Sequence, residues 1–379
     1  MGETGIAASG NISSFDLNPA AHLDFNGLNF SLSQKIKLYS YNLTRISSTV
    51  GGTTFVWDKT QWMFEHASIS YPVNENLVIG IGVFQKLNPQ MINKKRAVTF
   101  SDLFSQETSG SVYSAAGSIC CRFSNSFSAG INIYKYFGSI TSNIVGDNHG
   151  NDADKWANLQ NTLSGLNFKF GALLKQKDWS AGLTIELPFK MDVEAVKQIS
   201  ADQLYKSLFP DYDRTDWNLP LIVGTGFSYN GIDDWILEAD FESRQYKSSD
   251  VQLNLYEFGG KPEWGNINIL RLGVQYIYIT EGDLKIPVRA GYAFIPQLYC
   301  SINATGLGNV VTDYQNTDRN IKHLFTLGTS ITIKRLTVDL TLEYSILKWH
   351  QTLKVPQTIN DDYSESNYLC NLGIIFSVD

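Results

Sequence analysis

The stretch that decides the fold runs from residue 270 to residue 294. Leu270-Arg271-Leu272-Gly273-Val274-Gln275-Tyr276-Ile277-Tyr278 is answered, after Glu281-Gly282-Asp283, by Leu284-Lys285-Ile286-Pro287-Val288-Arg289-Ala290-Gly291-Tyr292-Ala293-Phe294. Every second residue is apolar, while Arg271, Gln275, Lys285 and Arg289 fall in the opposite phase. A period of two is that of a strand with one greasy and one wet face. The same alternation returns in Trp235, Leu237, Ala239 and Phe241 against Glu238, Asp240, Glu242 and Arg244, and in Leu336, Val338, Leu340, Leu342 and Tyr344 against Asp339 and Glu343.

One such strand also fits a soluble β-sandwich that packs one face inward. Length and loop asymmetry decide otherwise. Globular strands run about 5 to 6 residues, whereas crossing a bilayer at a tilt takes about 9 to 11. Here long runs are paired by tiny turns, and the pairs are separated by long polar insertions. The turns near Asn74-Glu75-Asn76, Ser124-Asn125-Ser126, Gln176-Lys177-Asp178, Gly231 to Asp234, Glu281 to Asp283 and Lys334-Arg335 recur about every fifty residues. Propeller blades would need four short strands per period, and each period holds two long ones. With a first strand from about residue 26, six hairpins and a last strand over residues 366–378, the chain reads as an all-β, antiparallel up-and-down transmembrane barrel of about fourteen strands.

Composition agrees. Hydrophobic residues make up 43% and charged residues 18%, yet no uninterrupted apolar stretch approaches the roughly 18 residues of a transmembrane helix. A membrane chain without such helices must close into a barrel, because lipid cannot satisfy open sheet edges. Both termini then lie on the short-turn, periplasmic side of an outer membrane. A net charge of −7, with no basic stripe beyond Lys94-Lys95-Arg96, argues against nucleic-acid binding.

Chemistry-bearing motifs are sparse. Cys120 and Cys121 are sequence neighbours, and with Cys300 and Cys370 they follow no metal or disulfide spacing. The run Asp147 to Asp154 is rich in oxygen but lacks the spacing of a calcium cage. His22, His66, His323 and His350 are scattered. The reading is of a non-enzyme with no cofactor and no metal. The chain opens Met1-Gly2-Glu3 without an apolar leader, which reads as a mature, trimmed form carrying an added Met.

In the last strand, Asn371, Gly373, Phe376 and Val378 sit where a signal for the barrel-assembly machinery would have them. Near the start, Asn18-Pro19-Ala20, preceded by the small residues Gly5 to Gly10, resembles the Asn-Pro-Ala hatch motif of the FadL-type outer-membrane long-chain fatty acid and hydrophobic-compound transporters. Collinear support comes from Ser70-Tyr71-Pro72 through Gly82, Leu219-Pro220 to Gly226, Trp235 to Phe241, Arg271-Leu272-Gly273, Arg289 to Ala293 and Leu327-Gly328. The resemblance covers nearly the whole chain. It implies a hatch at residues 1–25 inside a barrel at residues 26–379, with hydrophobic ligands captured outside and released by hatch movement. It also implies that residues usually preceding the hatch are absent here.

Physical reasoning supplies a reason for a hatch: a barrel this wide cannot fill its interior with its own side chains. Gly80, Gly82, Gly130, Gly171, Gly182, Gly224, Gly226, Gly273, Gly291, Gly328 and Gly373 mostly share the inward phase. They either leave room for a plug or ease strand curvature. Two outer insertions read as helices with apolar stripes, Asp152 to Gly165 with Trp156, Leu159 and Leu163, and Ser200 to Pro210 with a Ser200–Gln203 capping box followed by Leu204, Leu208 and Phe209. Such helices either pack on each other as a lid or form the groove in which a hydrophobic ligand first docks.

Lys169, Arg271 and Arg289 lie on the inward phase. Arg271 is expected to pair with Glu242 across the wall, leaving Arg289 to meet an acidic headgroup. The expected partners are a hydrophobic small molecule and outer-membrane lipid, with the protein a monomer. A structural or export-machinery partner and a general porin are the competing functions.

Overall fold

The computed structural model describes residues 1–8, 14–21, 27–47, 53–87, 91–96, 103–147, 155–199, 214–249, 263–279, 285–297, 300–305, 311–315, 320–354 and 358–378. A short helix α1 (Ser14–Leu17) and a 3-10 turn (Pro19–Ala21) precede the sheet. The strand segments are β1 (Leu28–Ser47), β2 (Thr53–Asn74), β3 (Leu77–Leu87), β4 (Met91–Arg96), β5 (Leu103–Ser124), β6 (Phe127–Asp147) and β7 (Lys155–Lys175). They continue with β8 (Trp179–Glu186), β9 (Phe189–Ile199), β10 (Arg214–Leu219), β11 (Ile222–Ile232), β12 (Trp235–Arg244), β13 (Glu263–Trp264) and β14 (Ile267–Ile279). The last are β15 (Lys285–Pro296), β16 (Cys300–Thr305), β17 (Val311–Gln315), β18 (Ile321–Ile333), β19 (Leu336–Lys354) and β20 (Thr358–Val378).

Several segments are consecutive pieces of one wall strand: β3 and β4 both pair with β5, and β8 and β9 both pair with β7. Among the described residues the wall is a closed antiparallel ring of fourteen strands, extended at one rim by short pieces such as β16 and β17. The ring closes where β1 pairs with β20, from Leu28 beside Val378 to Ser47 beside Ile359. No edge is left unpaired there, which is what lipid demands.

The alternation seen in sequence is the alternation of the two faces. Along β14, Ile269 and Arg271 are buried while Leu270 and Leu272 are exposed; along β18, Leu324 and Thr326 are buried while Phe325 and Leu327 are exposed. The outward side chains are apolar, with Trp62 68% and Leu327 61% exposed, so the surface a soluble protein would hide faces the surroundings. Aromatic pairs band this face at both ends. Trp235–Tyr276 and Phe123–Phe127 lie by the short turns, and Tyr113–Phe137 and Tyr344–Tyr368 lie toward the other rim. An apolar belt between aromatic girdles identifies an outer-membrane barrel.

The long insertions are in part not loops. β5, β6 and β7 are 22, 21 and 21 residues long and stay paired from Phe127 beside Leu174 up to Gly146 beside Lys155. The helix expected over residues 152–165 is corrected by this: Trp156, Leu159 and Leu163 belong to β7. A lone helix of some ten residues is marginal in water, whereas the free edge of β6 offers a hydrogen-bond partner to every second residue. The second expected helix, with Leu204, Leu208 and Phe209, lies outside the described residues, as does most of the Asp147 to Asp154 run.

Candidate functional site

The site is the lumen, and the N-terminal residues sit in it. Small inward residues on the middle strands of the chain let that segment come close. A methyl group on Gly171 would stand 2.1 Å from Asn18 Oδ1, and one on Gly182 would stand 2.1 Å from the carbonyl oxygen of Ile6. Gly80 faces Phe15, Gly130 faces Pro19, Gly226 faces Ile6 and Gly273 faces Thr4. Room for the segment is therefore the use of these glycines. By contrast, Gly328 and Gly373 meet only wall atoms of Thr341, Leu340, Arg289 and Asp339.

Wall side chains satisfy the segment's backbone. Asp240 Oδ2 accepts the N–H groups of Gly5 (2.7 Å) and Ile6 (3.1 Å), and Ser180 and Ser128 donate to the carbonyls of Ala7 (2.7 Å) and Ala20 (2.8 Å). Asn18, fully buried, holds the fold of the segment together. Its Nδ2 donates to the carbonyls of Ile6 (2.7 Å) and Ala172 (3.2 Å), and its Oδ1 accepts the Ala20 N–H (2.9 Å). The Asn-Pro-Ala run of the sequence is thus where the segment is pinned to the wall. Below it, at the short-turn end, a cavity of about 210 Å³ lies between Ala20, Ala21, Arg122, Ser126, Leu173 and Lys175.

Phe15 points the other way, into an apolar cluster inside the barrel. It stacks on Phe84 with ring centroids 5.2 Å apart, and the cluster continues through Val112, Leu163, Met191 and Trp217. Beside Phe15, the carboxylate of Asp16 takes a hydrogen bond from Lys86 Nζ at 2.5 Å, and Lys169 Nζ donates to the Asp16 carbonyl at 2.8 Å. Burial pushes the Asp16 carboxyl up, but the charges of Lys86 and Lys169 outweigh it and hold the group below the usual carboxylate range. Lys169 is inward, as its phase along the strand predicts, but its partnership with Asp16 exists only once the fold brings residues 16, 86 and 169 together.

The rest of the inner wall is charged. Lys35 pairs with Glu65 (2.5 Å) and Glu343 (3.8 Å), and Glu65 also accepts from Asn371 Nδ2 (2.6 Å). The expected Arg271–Glu242 pair is present at 3.3 Å, although Asp240 rather than Glu242 is the register neighbour of Arg271. Arg289 is engaged by Asp339 (3.1 Å), Gln275 (2.7 Å) and Ser330 (3.2 Å). Leu159 and Leu163 are buried on the inner face. In the last strand Gly373 faces inward and Phe376 is 43% exposed on the outside. Among the described residues no three His, Cys, Asp or Glu side chains gather as metal ligands.

The BamG family model matches residues 1–294. This chain belongs to the BamG family. Solved structures similar to this BamG-family barrel include a FadL homologue of Pseudomonas aeruginosa, with a TM-score of 0.66, 10% identity, and coverage of 98% of this chain and 95% of that one. The Pseudomonas putida toluene transporter TodX gives 0.62, 11%, 100% and 97%, and the Ralstonia pickettii toluene transporter TbuX gives 0.62, 15%, 99% and 96%. At such identities the likeness is one of fold, and it bears out the FadL-type architecture expected from the sequence. No curated protein matches the chain.

Proposed function

We propose that this barrel admits hydrophobic small molecules, long-chain fatty acids among them, across the outer membrane, with residues 1–25 serving as a hatch pinned at Asn18, Pro19 and Ala20. The observation that carries this reading is the apolar cluster inside the barrel, with Phe15 seated in it. A pore for polar solutes has no use for a buried greasy surface on its inner wall, and hydrophobic burial selects for area rather than for a particular ligand. Trp156, Leu204, Leu208 and Phe209 are assigned to first capture, Leu159 and Leu163 to the path inward, and Arg289 to the charged flank of that path. Asn371, Gly373, Phe376 and Val378 are assigned to recognition by the barrel-assembly machinery. The solved neighbours named as toluene transporters support the class of ligand, not its identity.

Mass spectrometry of small molecules extracted from the purified, detergent-solubilised protein tests the reading. A bound apolar compound is the expected result. A stoichiometric protein partner with an empty lumen would instead favour an export-machinery role. Replacing Trp156 and Leu208 together by Asp should reduce uptake by assembled barrels, and unchanged uptake would remove those two from the capture site.

A further inference from the structure

Two lysines from separate strands converge on a single residue of the N-terminal segment. Lys86 rises from β3 and Lys169 from β7, with the strands β5 and β6 between them in the wall. Lys86 Nζ lies 4.4 Å from the Tyr134 ring centroid. Cations set against aromatic faces beside an apolar cluster form a socket for one anionic end of an otherwise greasy molecule.

We infer that Lys86 and Lys169 form a carboxylate-binding site in the lumen, occupied by Asp16 while the barrel is closed and taken over by the carboxylate of an incoming amphiphile. This rests on the hatch reading above and names the headgroup chemistry that goes with it.

Three observations support the exchange. First, Phe15 and Asp16 together mimic such a ligand: an apolar group lodged in the Phe84, Val112 and Leu163 cluster, followed at once by a carboxylate on Lys86, with Lys169 on the carbonyl of the same residue. Second, the Asp16 side chain is 29% exposed and Lys86 16%, so a competing anion can reach the pair without unfolding the wall. Third, Asn132 is fully buried against this site, donating from Nδ2 to the Phe15 carbonyl and to Tyr134 Oη, both at 2.8 Å. It thereby ties the backbone of the segment to the ring on which Lys86 lies. The nearby Glu186 accepts from Asn167 at 2.7 Å and from Tyr136 at 3.3 Å, so it has donors of its own.

The test compares dodecanoate with its methyl ester, binding each to the purified barrel in detergent. Asp16→Asn should tighten dodecanoate by about tenfold, the scale of one charge-assisted hydrogen bond, and leave the ester within about twofold. The double variant Lys86→Gln, Lys169→Gln should weaken dodecanoate by a similar factor and again leave the ester unchanged. A second arm needs no variant: dodecanoate, and not the ester, should raise hydrogen exchange at residues 14–21 of the parent protein. An acid-to-ester ratio equal in all three proteins, or equal exchange with both compounds, overturns the carboxylate site while leaving hydrophobic uptake standing. Failure of the parent to bind either compound overturns both.

Discussion

The inner wall has two halves built on different plans. From Gly80 on β3 to Gly291 on β15, inward glycines stand where the N-terminal segment comes closest to the wall. From β19 through β20 and β1 to β2, the inward positions carry Lys35, Glu65, Glu343 and Asn371, which reach one another across the lumen side of the wall. Where the segment's backbone comes closest the wall is glycine flanked by short polar or charged side chains that bond to it, and away from the segment long charged side chains fill the space. A packed interior needs one or the other.

This contrast is open to direct attack. The largest effect should follow Gly171→Val combined with Gly182→Val. Each added side chain overlaps Asn18 or Ile6 and costs about 1–3 kcal/mol or more, so residues 1–21 should become open to protease in an assembled barrel. Gly328→Ala combined with Gly373→Ala, whose new methyls would meet atoms at 3.2 Å and 3.4 Å, should leave the segment protected. Equal behaviour of the two pairs would abolish the distinction between the halves.

Asn18→Ala comes next. It removes three hydrogen bonds from a buried site, and hydrogen exchange at residues 5–8 and 18–21 should show the seat weakened by about 1–3 kcal/mol. A smaller effect comes from pH. Because the folded Asp16 carboxyl titrates below its ordinary value, its contribution is complete above about pH 4 and is lost as pH falls through the lowered value. Protection from exchange at residues 14–17, taken relative to the unfolded chain at each pH, should therefore be flat from neutral pH down to about 5 and fall only in stronger acid, with Asp16→Asn abolishing the fall. Smallest of all is Lys35→Met. It leaves Glu65 and Glu343 without their shared cation, so the barrel's conductance should become more cation-selective while the segment keeps its protection.

Much of this was legible from residues alone. Arg271, Glu238, Asp240 and Arg289 alternate strictly with Leu, Val and Tyr, and the structure puts all four inside, because lipid tolerates charge on one face only. The small turns at Asn74 to Asn76 and Lys334-Arg335 are hairpin turns as expected. The reading of residues 152–165 failed for a physical reason. On the inner face Leu159 and Leu163 are interrupted by the polar Asn161, so an alternating strand counted at its apolar positions mimics helical spacing. Arg289 looked free because its partners Asp339 and Ser330 arrive from strands some forty to fifty residues away. The Asp16 site was illegible for the same reason, being assembled from three distant stretches.

The pairing of first strand with last imposes an order of events on biogenesis. No enclosed interior exists until the final residues have been made and Val378 has come to rest beside Leu28. The segment that precedes Leu28 bonds to strands from β6, at Ser128, to β18, at Thr326, all of them enclosed by that seam. Once that seam is shut the segment lies inside a closed wall, and any way out for it runs through an open end of the barrel.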